Sequence, residues 1–165
     1  MNRIMVLGVV LAVAALAGCG GSGKKSATSP DVQRQSDLYA IDQIERVWHK
    51  ASSTHNVDLM MTLWASDATF NIGTETLTGQ KEIRDFFTNR AGPFQPGNHW
   101  VSETPAYRIR TTVSGDKGTL YFECVYVDVK TGKVASVVGA DQNVQKINGK
   151  WVITSAAGAT PALGS

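Results

Sequence analysis

The chain is predicted to form one α+β domain in which helices come first and a curved antiparallel sheet follows. In the first half, apolar residues recur every three or four positions, which is the periodicity of amphipathic helices. The second half is rich in β-branched and aromatic residues and is divided by turn signals, which is typical of strands. Helices followed by strands are expected to cover one face of the sheet.

Residues 1–18 are expected to be an export signal and not part of the folded domain. Arg3 is followed by an uncharged apolar run from 4 to 18. That run is too short to cross a bilayer, since crossing takes about 20 apolar residues. A positive start, a short apolar middle and small residues at the end describe a signal peptide that is removed after export.

The next feature is the run Leu16-Ala17-Gly18-Cys19, which resembles the lipobox of bacterial lipoproteins. The resemblance implies cleavage before Cys19 and attachment of diacylglycerol to its sulfur, so that acyl chains hold the protein on a membrane. The alternative is an ordinary secretory signal whose cleavage site contains a cysteine by chance. We expect an exported protein that is lipid-anchored to the cell envelope, on the periplasmic or cell-surface face.

Cysteine content and charge exclude several classes of protein. Cys19 and Cys124 are the only cysteines, so lipidation of the first leaves Cys124 without an intramolecular disulfide partner. Cys124 is expected to be a small core residue, since nothing basic adjoins it to lower its pKa. With 16 basic and 14 acidic residues and no basic stripe, nucleic-acid binding is not expected. No zinc-type spacing, phosphate-binding loop or serine-hydrolase motif occurs, so no metal or cofactor is expected.

The chain is divided into a tether, a domain and a tail. Residues 19–35 are expected to be a flexible tether behind the lipidated cysteine, because glycine and serine dominate its beginning and offer nothing to bury. Within it, Ser29-Pro30-Asp31 is typical of a helix start. The domain is assigned to 36–155, and the small, polar residues 156–165 are expected to be a disordered tail.

Three helices are predicted in the first half of the domain. The first ends near His55, the second follows an Asn56 cap, and the third covers 80–89 and stops before Gly92-Pro93. The apolar face of the first helix consists of Leu38, Ile41, Ile44, Trp48 and Ala51, and that of the second of Leu59, Met60, Leu63 and Trp64.

Six strands are predicted from β-prone residues and from the turns between them. A strong two-residue hairpin is expected at Asn148-Gly149, because both residue types tolerate a positive φ. The predicted strands are 68–72, 74–78, 100–113, 119–129, 134–147 and 151–155.

The run Leu63-Trp64-Ala65-Ser66-Asp67-Ala68-Thr69-Phe70 is preceded by Trp48 and Asp58 and is followed by Gly79, Ile83, Phe86-Phe87 and the closing run Asn148-Gly149-Lys150-Trp151-Val152-Ile153. Together these residues resemble the SnoaL-like branch of the nuclear transport factor 2-like superfamily over residues 36–155. The resemblance implies a cone with a cystatin-like fold, in which the sheet wraps around the helices and leaves a mainly apolar cavity open at one end. Relatives include ketosteroid isomerase, scytalone dehydratase and polyketide cyclases, and such domains often form homodimers through the outer sheet face.

The resemblance also tests known reactions residue by residue. The tyrosine, base and acid of the steroid isomerase fall on Trp48, Ile72 and Asn143. Isoleucine cannot accept a proton, so this reaction is not expected. The dehydratase uses two histidines in its cavity, whereas the predicted strands here offer only His99.

Two sets of candidate site residues remain. If Asn143 faces the cavity, the two-residue strand period turns Asp141 the same way, and His99 could complete an acid/base pair. The alternatives are that Asp141 faces solvent and that His99 is a loop residue without a role. His49 and His55 are expected to be exposed. The residues expected to line a ligand cavity, with core packing as the alternative for the aromatic ones, are Trp48, Phe70, Phe87, Phe122, Tyr126 and Asn143.

The sequence therefore predicts a noncatalytic envelope module that binds a small apolar ligand or a partner protein. The alternative is an isomerase, dehydratase or cyclase that uses Asp141 and His99 as acid and base. A third alternative is assembly alone, as a homodimer.

Overall fold

The computed structural model describes residues 29–102 and 106–161, so the predicted signal peptide and Cys19 lie outside the described residues. Within these ranges no helix is both long and apolar enough to cross a membrane. The helices of the described chain are α1 (Pro30–Ser53), α2 (Val57–Met61) and α3 (Gly79–Asn89), with a 3-10 turn at Gly92–Phe94. Its strands are β1 (Trp64–Ile72), β2 (Glu75–Thr78), β3 (Trp100–Ser102), β4 (Tyr107–Ser114), β5 (Lys117–Asp128), β6 (Lys133–Ile147) and β7 (Lys150–Ala159).

All seven strands form one mixed sheet. The order is β2-β1-β7-β6-β5, and both β3 and β4 pair with the remaining edge of β5. The pairing of β1 with β7 is parallel, and the other pairings are antiparallel. The helices precede most of an open, curved sheet, which confirms the predicted α+β class and cystatin-like fold.

Both predicted helix caps are present. The Ser29 hydroxyl accepts a hydrogen bond from the Val32 amide at 3.3 Å, and the Asn56 side chain accepts one from the Leu59 amide at 2.8 Å. The predicted tether at 19–35 is wrong beyond Ser29, because the cap starts α1 at Pro30.

The second helix is shorter than predicted. It ends at Met61, and Trp64 is the first residue of β1. The Leu63 carbonyl accepts a hydrogen bond from the Ile153 amide at 2.7 Å. Because this hydrogen bond joins the chain to β7, the residues from Trp64 onward form a strand of the sheet and do not continue the helix.

Two predicted strand boundaries are also wrong. The single strand predicted at 100–113 is divided into β3 and β4, because Ser102 pairs with Tyr126 but Tyr107 pairs with Glu123. The chain therefore advances five residues where β5 advances three, and one continuous ladder is impossible. The predicted tail is wrong over 156–159, since β7 continues to Ala159 and pairs with β1 as far as Ala157 and with β6 as far as Ala159.

The hairpin between β6 and β7 has the predicted turn. Asn148 and Gly149 have φ values of 50° and 79°, and Ile147 pairs with Lys150 directly across the turn. Positive φ at both central residues matches the right-handed twist of the flanking strands, which explains the Asn-Gly pair.

Helix α1 packs on the inner face of the sheet. Ile41, Ile44, Trp48 and Ala51 are buried, as their spacing predicts. The Trp48 ring meets Phe87 edge-on at a centroid distance of 5.7 Å. Aromatic packing of this kind joins α1 to α3 and to the sheet in one core.

Asp37 ties α1 to the last two strands. Its Oδ1 accepts hydrogen bonds from Lys146 Nζ at 2.7 Å and from Trp151 Nε1 at 3.0 Å. Its Oδ2 accepts one from Gln33 Nε2 at 3.0 Å. The hydrogen bond from Lys146, followed by those from Gln33 and Trp151, lowers the pKa of Asp37 to about 2.

Replacing Asp37 with Asn is expected to reduce the free energy of unfolding by about 1–2 kcal/mol at neutral pH. Because the folded pKa is below the ordinary one, the stabilisation is present above 3.8 and is lost as pH falls towards 2. Urea unfolding should therefore show the difference between wild type and Asp37→Asn shrinking over that interval. The exposed Asp67→Asn is the control, and a pH-independent difference for Asp37→Asn would contradict this explanation.

Candidate functional site

A mainly apolar cavity of about 450 Å³ lies between the helices and the inner face of β6 and β7. Its size is within the range of small-molecule sites. The polar residues of its wall are Ser52, Asn71, Tyr126 and Ser136. No Asp, Glu, His, Lys or Arg of the described chain lines it. The aromatic residues of the wall are Trp48, Phe70, Phe86, Phe87, Phe94, Trp100 and Tyr126.

The cavity exists because large side chains on β5 face small ones on β6. Residues directly opposite each other in an antiparallel pair share a face of the sheet. Tyr126 pairs with Ser136 and Phe122 pairs with Ala140. Because Ser136, Val138 and the next inward residue, Ala140, are short, the inner face is hollow here.

Four of the residues predicted to bind a ligand lie on this wall, namely Trp48, Phe70, Phe87 and Tyr126. Their role in binding stays a prediction. Phe122 is corrected to a core residue: it is fully buried, and its ring packs edge-on against Trp48 and His49 at 5.7 Å each. It lies behind the wall of the cavity instead of on it.

Asn143 and Asp141 share a face, as the strand period predicts, but it is the outer face. Asn143 pairs with Thr119 and Asp141 pairs with Tyr121. Both are exposed, and Asn143 Nδ2 donates a hydrogen bond to Ser155 Oγ at 2.8 Å. They line a separate polar groove of about 470 Å³. The expectation that Asn143 points into the cavity is wrong.

His99 and Asp141 do not meet. The carbonyl of His99 accepts a hydrogen bond from the Val129 amide at 3.1 Å, just beyond the end of β5. Asp141 lies opposite Tyr121, eight residues earlier on that strand. At about 3.3 Å per residue, the two sites are separated by roughly 26 Å along the strand. The predicted acid/base pair is therefore wrong.

Instead, three other titratable side chains are brought together between α1 and β5. His49 Nε2 lies 2.9 Å from Cys124 Sγ, and His49 Nδ1 lies 3.2 Å from Glu45 Oε1. The Glu45 carboxylate also accepts a hydrogen bond from the Ala106 amide. Glu45 and His49 are fully buried, and Cys124 is 1% exposed.

The prediction that His49 is exposed is wrong, whereas His55 is exposed as expected. Glu45 and His49 are four residues apart on α1, so they share the face that packs on β5. This spacing, next to the buried residue Trp48, was the signal in the sequence from which the burial of Glu45 and His49 could have been predicted. The expectation that nothing basic adjoins Cys124 is also wrong. Its basic neighbour, His49, lies on α1, whereas Cys124 lies on β5.

Burial governs the ionisation of this cluster. It raises the pKa of Cys124 to about 12, although the Ser102 and Tyr126 hydroxyls act in the opposite direction. Burial also raises the pKa of Glu45, and the Ala106 hydrogen bond opposes this. The uncharged thiol is a weak nucleophile. Within the described ranges, no group of three or more His, Cys, Asp or Glu side chains is arranged to hold a metal ion.

Comparison with known proteins identifies the family. A family model described as a SnoaL-like domain matches residues 44–153. No curated protein sequence matches the chain.

Solved structures with the same fold share little sequence with the chain. An NTF2-like protein with a cystatin-like fold from Novosphingobium aromaticivorans is similar with a TM-score of 0.67 and 17% identity, over 82% of this chain and 88% of that one. An NTF2-like protein of unknown function from Pseudomonas putida has a TM-score of 0.63 and 13% identity, over 77% and 88% of the two chains. These likenesses concern the fold. Because the family model matches more than half of the residues of this chain, the chain belongs to the SnoaL-like domain family.

Proposed function

We propose that this chain is an exported, lipid-anchored SnoaL-like protein that binds a small, largely apolar molecule in its cavity. The supporting observation is the cavity itself, a hollow of about 450 Å³ with seven aromatic side chains in its wall. Burial of apolar surface supplies most of the binding energy in sites of this kind. Binding of a partner protein and formation of a homodimer stay predictions from the sequence.

The composition of the wall favours binding over catalysis. Isomerases and dehydratases move protons with a positioned acid and base. Among the described residues, no carboxylate, imidazole or amine lines the cavity. The Glu45, His49 and Cys124 cluster is closed off by burial and lies outside the wall.

The cavity is tested with N-phenyl-1-naphthylamine, a neutral probe whose fluorescence rises in apolar surroundings. Val138 is 40% exposed and lines the cavity from β6, so Val138→Trp is expected to fill it and abolish the rise. The matched control is Val134→Trp on the same strand, which is 60% exposed and outside the cavity. Equal signals from the two variants would contradict ligand binding in this cavity.

The anchor is proposed from the sequence of the first 19 residues. Acylation of Cys19 by two or three chains would hold the protein firmly on a membrane. In a bacterial host, Cys19→Ala is expected to lose labelling by a palmitate analogue and to leave the membrane fraction. Cys124→Ala removes the only other cysteine and is the control, which should stay labelled. Unlabelled wild-type protein would refute the anchor.

A further inference from the structure

The wall of the cavity restricts the charge of its ligand. Transfer of a carboxylate or an ammonium group from water to an apolar site is very unfavourable unless an opposite charge is present. Among the described residues, the wall contains no acidic or basic side chain. The cavity should therefore disfavour fatty acids, phosphates and amines that enter with their charged end.

Two residues of the cavity wall, Ser52 and Tyr126, have neighbouring hydroxyl groups. Ser52 Oγ donates its proton to the Trp48 carbonyl at 3.0 Å, the preceding turn of α1. Tyr126 donates to Ser52 Oγ across 3.3 Å, which is long for a bond between two hydroxyl groups. The proton of Ser52 is thus engaged, whereas the Tyr126 hydroxyl has only this long hydrogen bond to Ser52 and a contact with the Cys124 thiol, which is a weak acceptor.

The surroundings keep Tyr126 protonated. Burial raises its pKa, and Cys124 acts in the same direction. Ser52 and Trp48 oppose this shift by hydrogen bonding but do not cancel it. Behind Tyr126, the thiol of Cys124 is held against His49. The phenol is consequently a donor throughout the neutral range and not a phenolate that would accept a proton.

We infer that the cavity selects an uncharged, mainly aromatic molecule with one hydrogen-bond-accepting oxygen, and that the Tyr126 hydroxyl binds this oxygen. This inference rests on the proposed function, because it assigns a ligand class to the same cavity. Tyr126 is then a residue that determines specificity, while the aromatic wall supplies affinity. A carbonyl, ether or neutral phenol oxygen meets the requirement, and a carboxylate does not.

Three naphthalenes of similar size test the inference with the purified full chain. 2-Acetylnaphthalene carries a ketone oxygen, 2-isopropenylnaphthalene has a CH₂ group in its place, and 2-naphthoate is an anion. Binding is defined as the part of the probe signal that Val138→Trp abolishes. Non-specific partition of a probe into the protein is therefore not counted. A hydrogen bond in an apolar site predicts that the ketone binds roughly three- to tenfold more tightly than the alkene. Naphthoate is expected to bind most weakly.

Tyr126→Phe should remove this preference by lowering the affinity for the ketone roughly three- to tenfold, while the affinity for the alkene changes by less than about twofold. Ser136→Ala is the control, because Ser136 lies opposite Tyr126 on the same wall and should leave the preference intact. The comparison of the three probes needs only the wild-type chain and Val138→Trp, so it does not depend on whether Tyr126→Phe folds.

The outcomes separate the two proposals. If no probe gives a signal that Val138→Trp abolishes, the proposed function fails. If the probes bind but the ketone has no advantage, if naphthoate binds best, or if Ser136→Ala removes the preference in place of Tyr126→Phe, ligand binding stands and the assignment to Tyr126 is overturned.

Discussion

Replacing Phe122 with Ala is expected to lower the free energy of unfolding by about 3–5 kcal/mol. Phe122 is fully buried, and its ring lies edge-on to Trp48 and His49. The rings come from α1 and Phe122 from β5, so truncation leaves a hole between two elements that cannot close on it. Urea unfolding with an unchanged slope would report this loss directly.

The same variant tests whether Phe122 belongs to the hydrophobic core or to the wall of the ligand cavity. Val129→Ala, at a position that is 59% exposed, should cost less than about 0.5 kcal/mol and is the control. Probe affinity of the folded Phe122→Ala protein should stay within about threefold of wild type. A small loss of stability with complete loss of binding would place Phe122 in the ligand site after all.

Replacing His49 with Leu is expected to cost about 3–5 kcal/mol at neutral pH. His49 is fully buried between Glu45 and Cys124, so its removal leaves a buried carboxyl group without its imidazole partner. The pKa of Glu45 is already raised by burial. Since a raised folded pKa means that stability falls as pH rises above the ordinary value of 4.5, the cost of His49→Leu should grow with pH over the range in which Glu45 ionises.

The double variant Glu45→Gln/His49→Leu tests this explanation. Glutamine keeps an acceptor for the Ala106 amide and removes the charge. The double variant is therefore expected to be more stable than His49→Leu alone at neutral pH, and its stability should depend less on pH. Additive losses would show that Glu45 and His49 are not coupled, and that only the volume of the imidazole matters.

Local patterns in the sequence predicted most of the secondary structure. Ser29 and Asn56 cap helices, and Asn148-Gly149 forms the hairpin, because caps and tight turns are satisfied by residues within a few positions. The spacing of Ile41, Ile44 and Trp48 predicted the buried face of α1 for a similar reason, since helix periodicity needs no knowledge of the partner surface.

The candidate site was predictable only in part. Trp48 and Tyr126 were expected to line the cavity because they are aromatic residues at positions predicted to face inward, and they line it. The two-residue period grouped Asp141 with Asn143, but a period does not say which face of the sheet is the inner one. The register of β6 against β5 decided this by placing Asp141 opposite Tyr121 on the outer face.

By itself, the sequence determined the α+β class, the helix caps, the hairpin and the grouping of residues by face, since each depends on neighbours within a turn or a strand period. Only the tertiary structure decided which polar groups meet. His49 and Cys124 are 75 residues apart and touch because α1 lies across β5. His99 and Asp141 stay far apart because they lie beside positions of the β5 segment that are eight residues apart, Val129 and Tyr121. Contacts between elements depend on register and packing, which are properties of the whole folded chain.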